Sequence, residues 1–516
     1  MRQSAMHRRP PVPAWQIVPM STDISRPVVQ AGKMTGFNGI ARIAGNQRSD
    51  WTMMFDITLD AAEKDPLFLQ IATRVRSAIT SGQLRPGARL PSSRALAEKL
   101  AIARGTVDAA YAQLAGEGAI ETRRSAGTVV SGTAGQRIEI LEQPPLRFQA
   151  AQGAGDAGPL PFQIGLPALD AFPQKLWTNL TVRTARASQP GPIADPAGVL
   201  ELRQAIVAYV GAARGVRCEP EQVIITAGYQ GALALVRNIL VRPGDPVWME
   251  DPGHPMTRMA LENSGARVVP VRVDSEGMRV SAGMTSAPKA RLAVVTPTHQ
   301  YPTGVALSLP RRLALLAWAA DAGSWIVEDD YDSEFRYAGR PLPSLKSVDN
   351  VDRVLYVGSF SKLLCPTLRL GYIVIPSGLL GAFKRAARLI TNGLPMLEQR
   401  VLAAFMRDGH FARHVRRMRL LYADRLRCLT NALQTAFGDR IELPATQGGL
   451  HLLARFPTLQ DDVTLAKNAA KSGFSPTALS SLTVAHSCGQ GLLLGFANIP
   501  TDDADGLAAR LAAAIG

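Results

Sequence analysis

The sequence is poor in cysteine and has no long apolar run and no internal repeat, and each absence removes a class of protein. Its four cysteines, Cys218, Cys365, Cys428 and Cys488, are far apart, with no C-x-x-C pair among them. Four scattered thiols in a chain of 516 residues exclude a disulfide framework and a zinc site, and they point to a reducing compartment. No stretch reaches the ~18 apolar residues that a transmembrane helix needs. The opening segment carries Arg2, Arg8 and Arg9, but no apolar core of signal-peptide type follows. A cytoplasmic protein with no membrane anchor and no metal is the expectation.

What the chain has in excess is positive charge. Lys and Arg number 57 against 42 Asp and Glu, a net charge of +15 at pH 7. That balance favours a polyanionic partner without choosing among DNA, RNA and an anionic membrane. The 46% hydrophobic and 19% charged residues are ordinary for a globular chain. A length of 516 residues exceeds one core, so two or three domains are expected.

Residues 1–60 are rich in Pro, Gly, Ser and Arg without a hydrophobic period, which predicts a disordered basic arm or a start assigned too far upstream. Order is expected from about Pro66. Within 61–131, Phe68, Ile71, Val75 and Ile79 mark one helix, stopped at Pro86-Gly87. A Ser cap ahead of Leu96 and Leu100 opens a second. Val107, Tyr111 and Leu114 mark a third. Ile120 to Arg124, a turn at Ser125-Ala126-Gly127, and Thr128 to Val130 read as a hairpin. Residues 132–160, dominated by Gly, Ala, Gln and Pro, read as a linker. From 161 to 516, short apolar runs alternate with helix-sized segments: Val223–Ile225, Val247–Met249, Leu292–Val295, Trp325–Val327, Val354–Val357 and Ile373–Ile375. They predict a mostly parallel sheet covered on both faces.

Three short helices and a hairpin make a winged helix-turn-helix, whose third helix enters the major groove of double-stranded DNA. That places Arg104 and Thr106 at base edges, where arginine can donate two bonds to guanine. Arg94 opens the second helix, placed for a phosphate or base contact. Gly127 permits close approach of the wing to the minor groove, with Arg123 and Arg124 meeting phosphates. A helical domain that binds protein is the plainer alternative.

The second half carries S359-F-S-K-L-L-C-P-T-L-R-L-G. A pyridoxal-phosphate (PLP) site needs an amine for a Schiff base, and hydroxyls with a fixed cation for the phosphate. Lys362 offers the amine, Ser359 and Ser361 the hydroxyls, and Arg369 the guanidinium. E328-D-D-Y-D-S-E-F follows a strand, so Asp329 can pair with the pyridine nitrogen and Tyr331 can bond the ring hydroxyl. T226-A-G-Y-Q-G-A-L opens a helix, whose N–H groups at Gly228, Tyr229 and Gln230 would cap the phosphate. His254 either covers the cofactor's face or is structural. The basic stretch from Lys384 to Arg427 is either a solvated or dimer-facing helix or a surface for bent DNA.

The segments G82-Q-L-R-P-G-A-R-L-P-S-S-R-A-L-A, A103-R-G-T-V-D-A-A-Y-A-Q-L and S125-A-G-T-V-V resemble the GntR class of bacterial regulators. D195-P-A-G-V-L-E-L-R, E250-D-P-G-H, T296-P-T-H-Q-Y-P-T-G and the Lys362 motif resemble fold-type I aminotransferases, and more narrowly the MocR/GabR subfamily of those regulators. The resemblance covers about residues 66–516. It implies a multi-domain chain: an N-terminal winged helix-turn-helix (α+β), then an α/β PLP-dependent transferase domain of fold type I with a smaller C-terminal α+β subdomain. It implies a head-to-tail homodimer and a transcription regulator that senses PLP or an amine effector. A PLP-dependent aminotransferase with an accessory DNA-binding domain is the alternative, and a scaffold without cofactor is a third reading.

Three positions depart from a working aminotransferase. Tyr301 stands where those enzymes have an Asn that bonds the ring oxygen, and aromatic residues there are typical of the regulators. His254 stands where Tyr is common. Leu493, in G491-L-L-L-G-F-A, stands where an Arg clamps the substrate carboxylate. Losing that clamp removes a charge-assisted bond worth roughly 1.5–3 kcal/mol. The effector is therefore expected not to be a simple α-amino acid. Asp108 stands where some relatives carry a basic contact residue, so base preference does not carry over.

Overall fold

A computed structural model describes residues 57–60, 65–123, 127–132, 158–189, 191, 195–339, 342–457 and 461–516. The arm before residue 57, Arg124 and most of the expected linker lie outside the described residues. The chain divides into two compact units, 1–151 and 152–516.

In the first unit, α1 (Leu67–Thr80), α2 (Ser93–Leu100) and α3 (Arg104–Gly116) precede a hairpin of β1 (Ile120–Arg123) and β2 (Gly127–Val130). The helices form because apolar residues recur at helical spacing. Ile71, Val75, Leu96, Val107 and Leu114 share one buried core. Ser92 caps α2, its hydroxyl oxygen accepting from the Ala95 N–H at 3.2 Å. In the hairpin Ile120 faces Val130, and Gly127 turns with φ +73°. Arg89 bridges to Val129 and widens the wing. The expected boundary moves, because Ile57 is buried in this core and the Gln70 amide donates to the carbonyls of Asp60 and Asp65. Ile57 and Leu59, which packs on the same core, stand in a segment too short to show a helical period.

The second unit is built on an eight-stranded sheet. Its strands are β3 (Val223–Thr226), β4 (Pro246–Asp251), β5 (Arg267–Asp274), β6 (Gly277–Met278), β7 (Leu292–Val295), β8 (Trp325–Asp330), β9 (Val354–Ser359) and β10 (Gly371–Val374). Their order is β3-β10-β9-β8-β7-β4-β5-β6. Strands β5, β4, β7, β8 and β9 run parallel, whereas β10 is antiparallel to both of its neighbours. Every residue of β3, β7, β9 and β10 is buried, which explains runs of apolar residues without alternation.

A smaller antiparallel sheet follows: β11 (His451–Ala454), β12 (Thr477–Ala478) and β13 (Leu492–Gly495), in the order β11-β13-β12. The long helix His410–Phe437 packs its Phe411, Val415, Met418 and Tyr422 face into the core shared with this sheet. The two sheets are tied at Asp251, at the end of β4. Its carboxylate accepts from the N–H groups of Val484, Ala485 and His486 at 2.8, 2.8 and 2.7 Å. Of the six arginines from Arg413 to Arg427 on the long helix, Arg425 is buried and the other five are exposed. Arg425 pairs with Asp170, and Arg417 and Arg419 donate to the carbonyls of Ala171 and Glu334.

Candidate cofactor and DNA-binding sites

The parallel strands end together, and ligands of such sheets bind beyond the carboxyl ends of the strands. A cavity of about 520 Å³ lies there, lined by residues that follow β3, β4, β7, β8 and β9. Lys362 comes just after β9, and its Nζ donates to the Gly165 carbonyl at 2.6 Å. Burial lowers the pKa of this amine, opposed by the nearby carboxylates of Asp332 and Asp329. A lowered pKa populates the neutral, nucleophilic form.

Groups suited to an anion line the cavity. Gly228 starts the helix Gly228–Leu240 with φ +67°, so the N–H groups of Gly228, Tyr229 and Gln230 stand at a positive helix end. Ser359 and Ser361 line the cavity too, with the Ser361 N–H donating to Ser359 Oγ at 3.2 Å. Arg369 adopts a left-handed backbone, φ +49°, a conformation that costs a non-glycine residue about 1 kcal/mol and recurs at ligand sites.

The cavity also carries carboxyls, Asp329, Asp332 and Glu250. Burial pushes the Asp329 carboxyl well above the ordinary range, and the Asp330, Asp332 and Glu250 carboxylates reinforce it. A carboxylate in this setting is stabilised by a cationic partner such as a protonated pyridine nitrogen. The Tyr331 hydroxyl lies 3.0 Å from His299 Nδ1, and that nitrogen also lies 3.0 Å from Asp332 Oδ1. The rings of His254 and Tyr301 are 5.3 Å apart. Burial, aided by the Lys362 charge, holds His254 down to about 4 and burial lifts Tyr301 to about 12, so both rings are neutral at pH 7.

An amine, a phosphate-sized cluster of donors and a buried carboxylate in one cavity fit pyridoxal phosphate. Each expected cofactor residue lines this cavity: Lys362, Asp329, Tyr331, Ser359, Ser361, Arg369, Gly228, Tyr229, Gln230, His254 and Tyr301. Sequence patterns missed Gly165, Glu250, Asp332 and His451, which line it too. The Glu250 carboxyl accepts from the Thr296 N–H, the Thr296 hydroxyl and the Gln300 amide at 3.1, 2.5 and 3.4 Å. Burial nevertheless raises it to about 7. Leu493 is fully buried in β13, opposite Leu453 and Thr477. Among the described residues the lining holds a single arginine, Arg369. No cluster of His, Cys, Asp and Glu suited to a metal occurs among the described residues.

On the first unit, Arg94, Arg104 and Arg123 are exposed and Thr106 is half-buried. Asp108 pairs with Arg104 one turn away at 3.5 Å, and Glu121 pairs with Arg123. Arg89, which sequence patterns did not single out, is also exposed, and its guanidinium lies 3.7 Å from where a Cβ would stand on Gly127.

Comparison with known proteins finds relatives for both units. Residues 67–130 match the family model for bacterial regulatory proteins of the gntR family, and residues 182–508 match aminotransferase class I and II. The chain is 36% identical to the probable rhizopine catabolism regulatory protein MocR of Rhizobium meliloti, over 86% of this chain and 92% of that one. It is 32% identical to the pyridoxine biosynthesis transcriptional regulator PdxR of Corynebacterium glutamicum, over 86% and 95%. Among solved structures, kynurenine aminotransferase of Pyrococcus horikoshii shares the fold, with a TM-score of 0.63 at 24% identity over 70% of this chain and 91% of that one. The α-aminoadipate aminotransferase LysN of Thermus thermophilus, complexed with N-(5'-phosphopyridoxyl)-L-leucine, has a TM-score of 0.62 at 27% identity over 69% and 92%. The chain belongs to the gntR family of bacterial transcription regulators, in the MocR-type branch that joins the DNA-binding domain to a pyridoxal-phosphate aminotransferase-like domain.

Proposed function

We propose that this regulator senses PLP or a small amine in the cavity at Lys362 and converts its occupancy into altered DNA affinity. When bound, PLP supplies an aldehyde that captures amines and a ring that withdraws electrons. Lys362 presents the amine that holds the aldehyde. Gly228, Tyr229, Gln230, Ser359, Ser361 and Arg369 hold the phosphate, Asp329 keeps the ring nitrogen protonated, and Tyr331, Tyr301 and His254 fix the ring's edge and face. Arg94, Arg104, Thr106, Arg123, Arg124 and Gly127 contact DNA. The functional form is a head-to-tail homodimer in the cytoplasm, and the effector acts by its unequal affinity for two arrangements of that dimer.

Sensing is favoured over turnover by one observation. The lining has a single arginine among the described residues, Arg369, and this reading assigns it to the phosphate. An amino-acid substrate would leave its carboxylate without a guanidinium partner. Residual transamination at Lys362 is consistent with this and would be slow. The test is a visible absorption titration of the full-length protein with PLP and then with amines, in parallel with DNA binding. A PLP band that is absent in Lys362→Ala, and a ligand-dependent change in DNA affinity, are expected. Turnover in the ordinary range of about 1–1000 per second with any amino donor would overturn the proposal.

A further inference from the structure

Once the cofactor's partners are assigned as above, the side chains left on the cavity wall are mostly apolar, Ile164, Met256 and Leu450 among them, with the carboxyls of Glu250 and Asp332, the hydroxyls of Thr257 and Thr296, and His451. None of these is a guanidinium, and both carboxyls already have partners, Glu250 in Thr296 and Gln300 and Asp332 in His299. His451 is carried by β11 of the smaller sheet, and its Nε2 lies 3.2 Å from the Pro302 carbonyl. A carbonyl only accepts, so Nε2 carries the ring proton and Nδ1 keeps its lone pair. Burial, then the neighbouring His299, holds the pKa down to about 4, and the ring is neutral at pH 7. Among the described residues, His451 makes no hydrogen bond besides the one at Nε2. Nδ1 is therefore the unused acceptor of a residue that lines the cavity.

We propose that His451 Nδ1 reads the effector, and that the effector is an amine bearing a hydroxyl and no carboxylate, an amino alcohol. The inference rests on the sensing role given above and names the class of molecule sensed. A ligand carboxylate would bring lone pairs against the lone pair of Nδ1, and Arg369, the one arginine of the lining among the described residues, is assigned to the phosphate. A second ammonium would be desolvated without a free counter-charge. Asp332 is bonded to His299, and Glu250 is bonded to Thr296 and Gln300. A hydroxyl donates one hydrogen bond to Nδ1 and carries no charge into the apolar wall of Ile164, Met256 and Leu450.

The experiment uses full-length protein loaded with PLP and chain-matched probes: 2-aminoethanol against glycine, and 3-aminopropan-1-ol against β-alanine. Binding is read by the shift of the PLP absorption band and by calorimetry. The alcohol of each pair should bind at least about tenfold tighter than the acid. His451→Phe, which removes the acceptor, should shrink that preference by about three- to tenfold, the worth of one neutral hydrogen bond. His451→Gln, which returns an acceptor oxygen, should recover part of it. Acids that bind as tightly as the alcohols, or a preference that survives in His451→Phe, overturn the proposal. So does a PLP band that no probe shifts, while PLP alone still alters DNA binding and the sensing role stands. Failure to form a band that depends on Lys362 sinks the sensing role itself.

Discussion

Lys362 and Gly165 lie 197 positions apart and meet at 2.6 Å, and the contact leaves no room for a side chain on the glycine. A Cβ on Gly165 would stand 2.6 Å from Nζ, at a backbone φ of +77° that L-residues avoid. Gly165→Ala should therefore displace the amine and slow PLP uptake by tenfold or more, measured as the rate of appearance of the absorption band, while Lys362→Ala abolishes the band. Lys362, Asp329 and Arg369 were legible in the sequence because each sits in a short motif next to an apolar strand. Gly165 and His451 were not, because what makes them functional is a neighbour supplied by a distant segment. The same holds for Arg214, whose guanidinium bonds Asp330 at 2.7 Å, with both side chains almost wholly buried. Nothing in an ordinary helix ending in Arg predicts that pair. Arg214→Met leaves the Asp330 charge without its partner and should cost about 3–5 kcal/mol, read by chemical denaturation.

Elements were easier to foresee where both ends are punctuated. Helices α1 to α3 each have an apolar stripe and a stop signal, and the six expected strands all lie in the large sheet. Strand β5 was missed because Arg267, Pro270 and Arg272 interrupt its apolar residues, and β6 is only two residues long. The antiparallel course of β10 could not be read from a run of four buried residues, since burial on both faces erases the alternation that carries direction. The cap and helix of the DNA-binding unit give two tests. Ser92→Ala removes the side-chain acceptor for Ala95 and should cost that unit about 1 kcal/mol in stability. Arg104→Ala should cost about 1–3 kcal/mol in operator affinity and relax base preference at one position. Asp108→Ala, which releases Arg104 from its ion pair, should instead raise affinity for non-specific DNA at low salt. Fluorescence anisotropy on specific and scrambled duplexes measures both.

At the scale of the whole molecule, buried titratable groups of opposite sign set how stability varies with pH. Burial raises three carboxyls, Glu250, Glu328 and Glu334, to about 7. The folded state then holds protons that the unfolded state has lost, so each acid lowers stability as pH rises from its unfolded value of about 4.5 to about 7. Burial lowers three histidines, His254, His414 and His451, to about 4. Here the unfolded state holds the extra protons, so each histidine raises stability as pH rises from about 4 to about 6.5. The two sets oppose each other across their shared window and leave the profile shallow between pH 5 and 6. Above about 6.5 the histidine contribution is exhausted and the carboxyls act alone, so the melting temperature of the cofactor-free protein should fall between pH 6.5 and 7.5. Glu250→Gln removes one of the three acids, keeps an acceptor for Thr296, and should soften that fall. A melting temperature that keeps rising through pH 7 would show that these carboxyls are ionised at no cost in the folded protein.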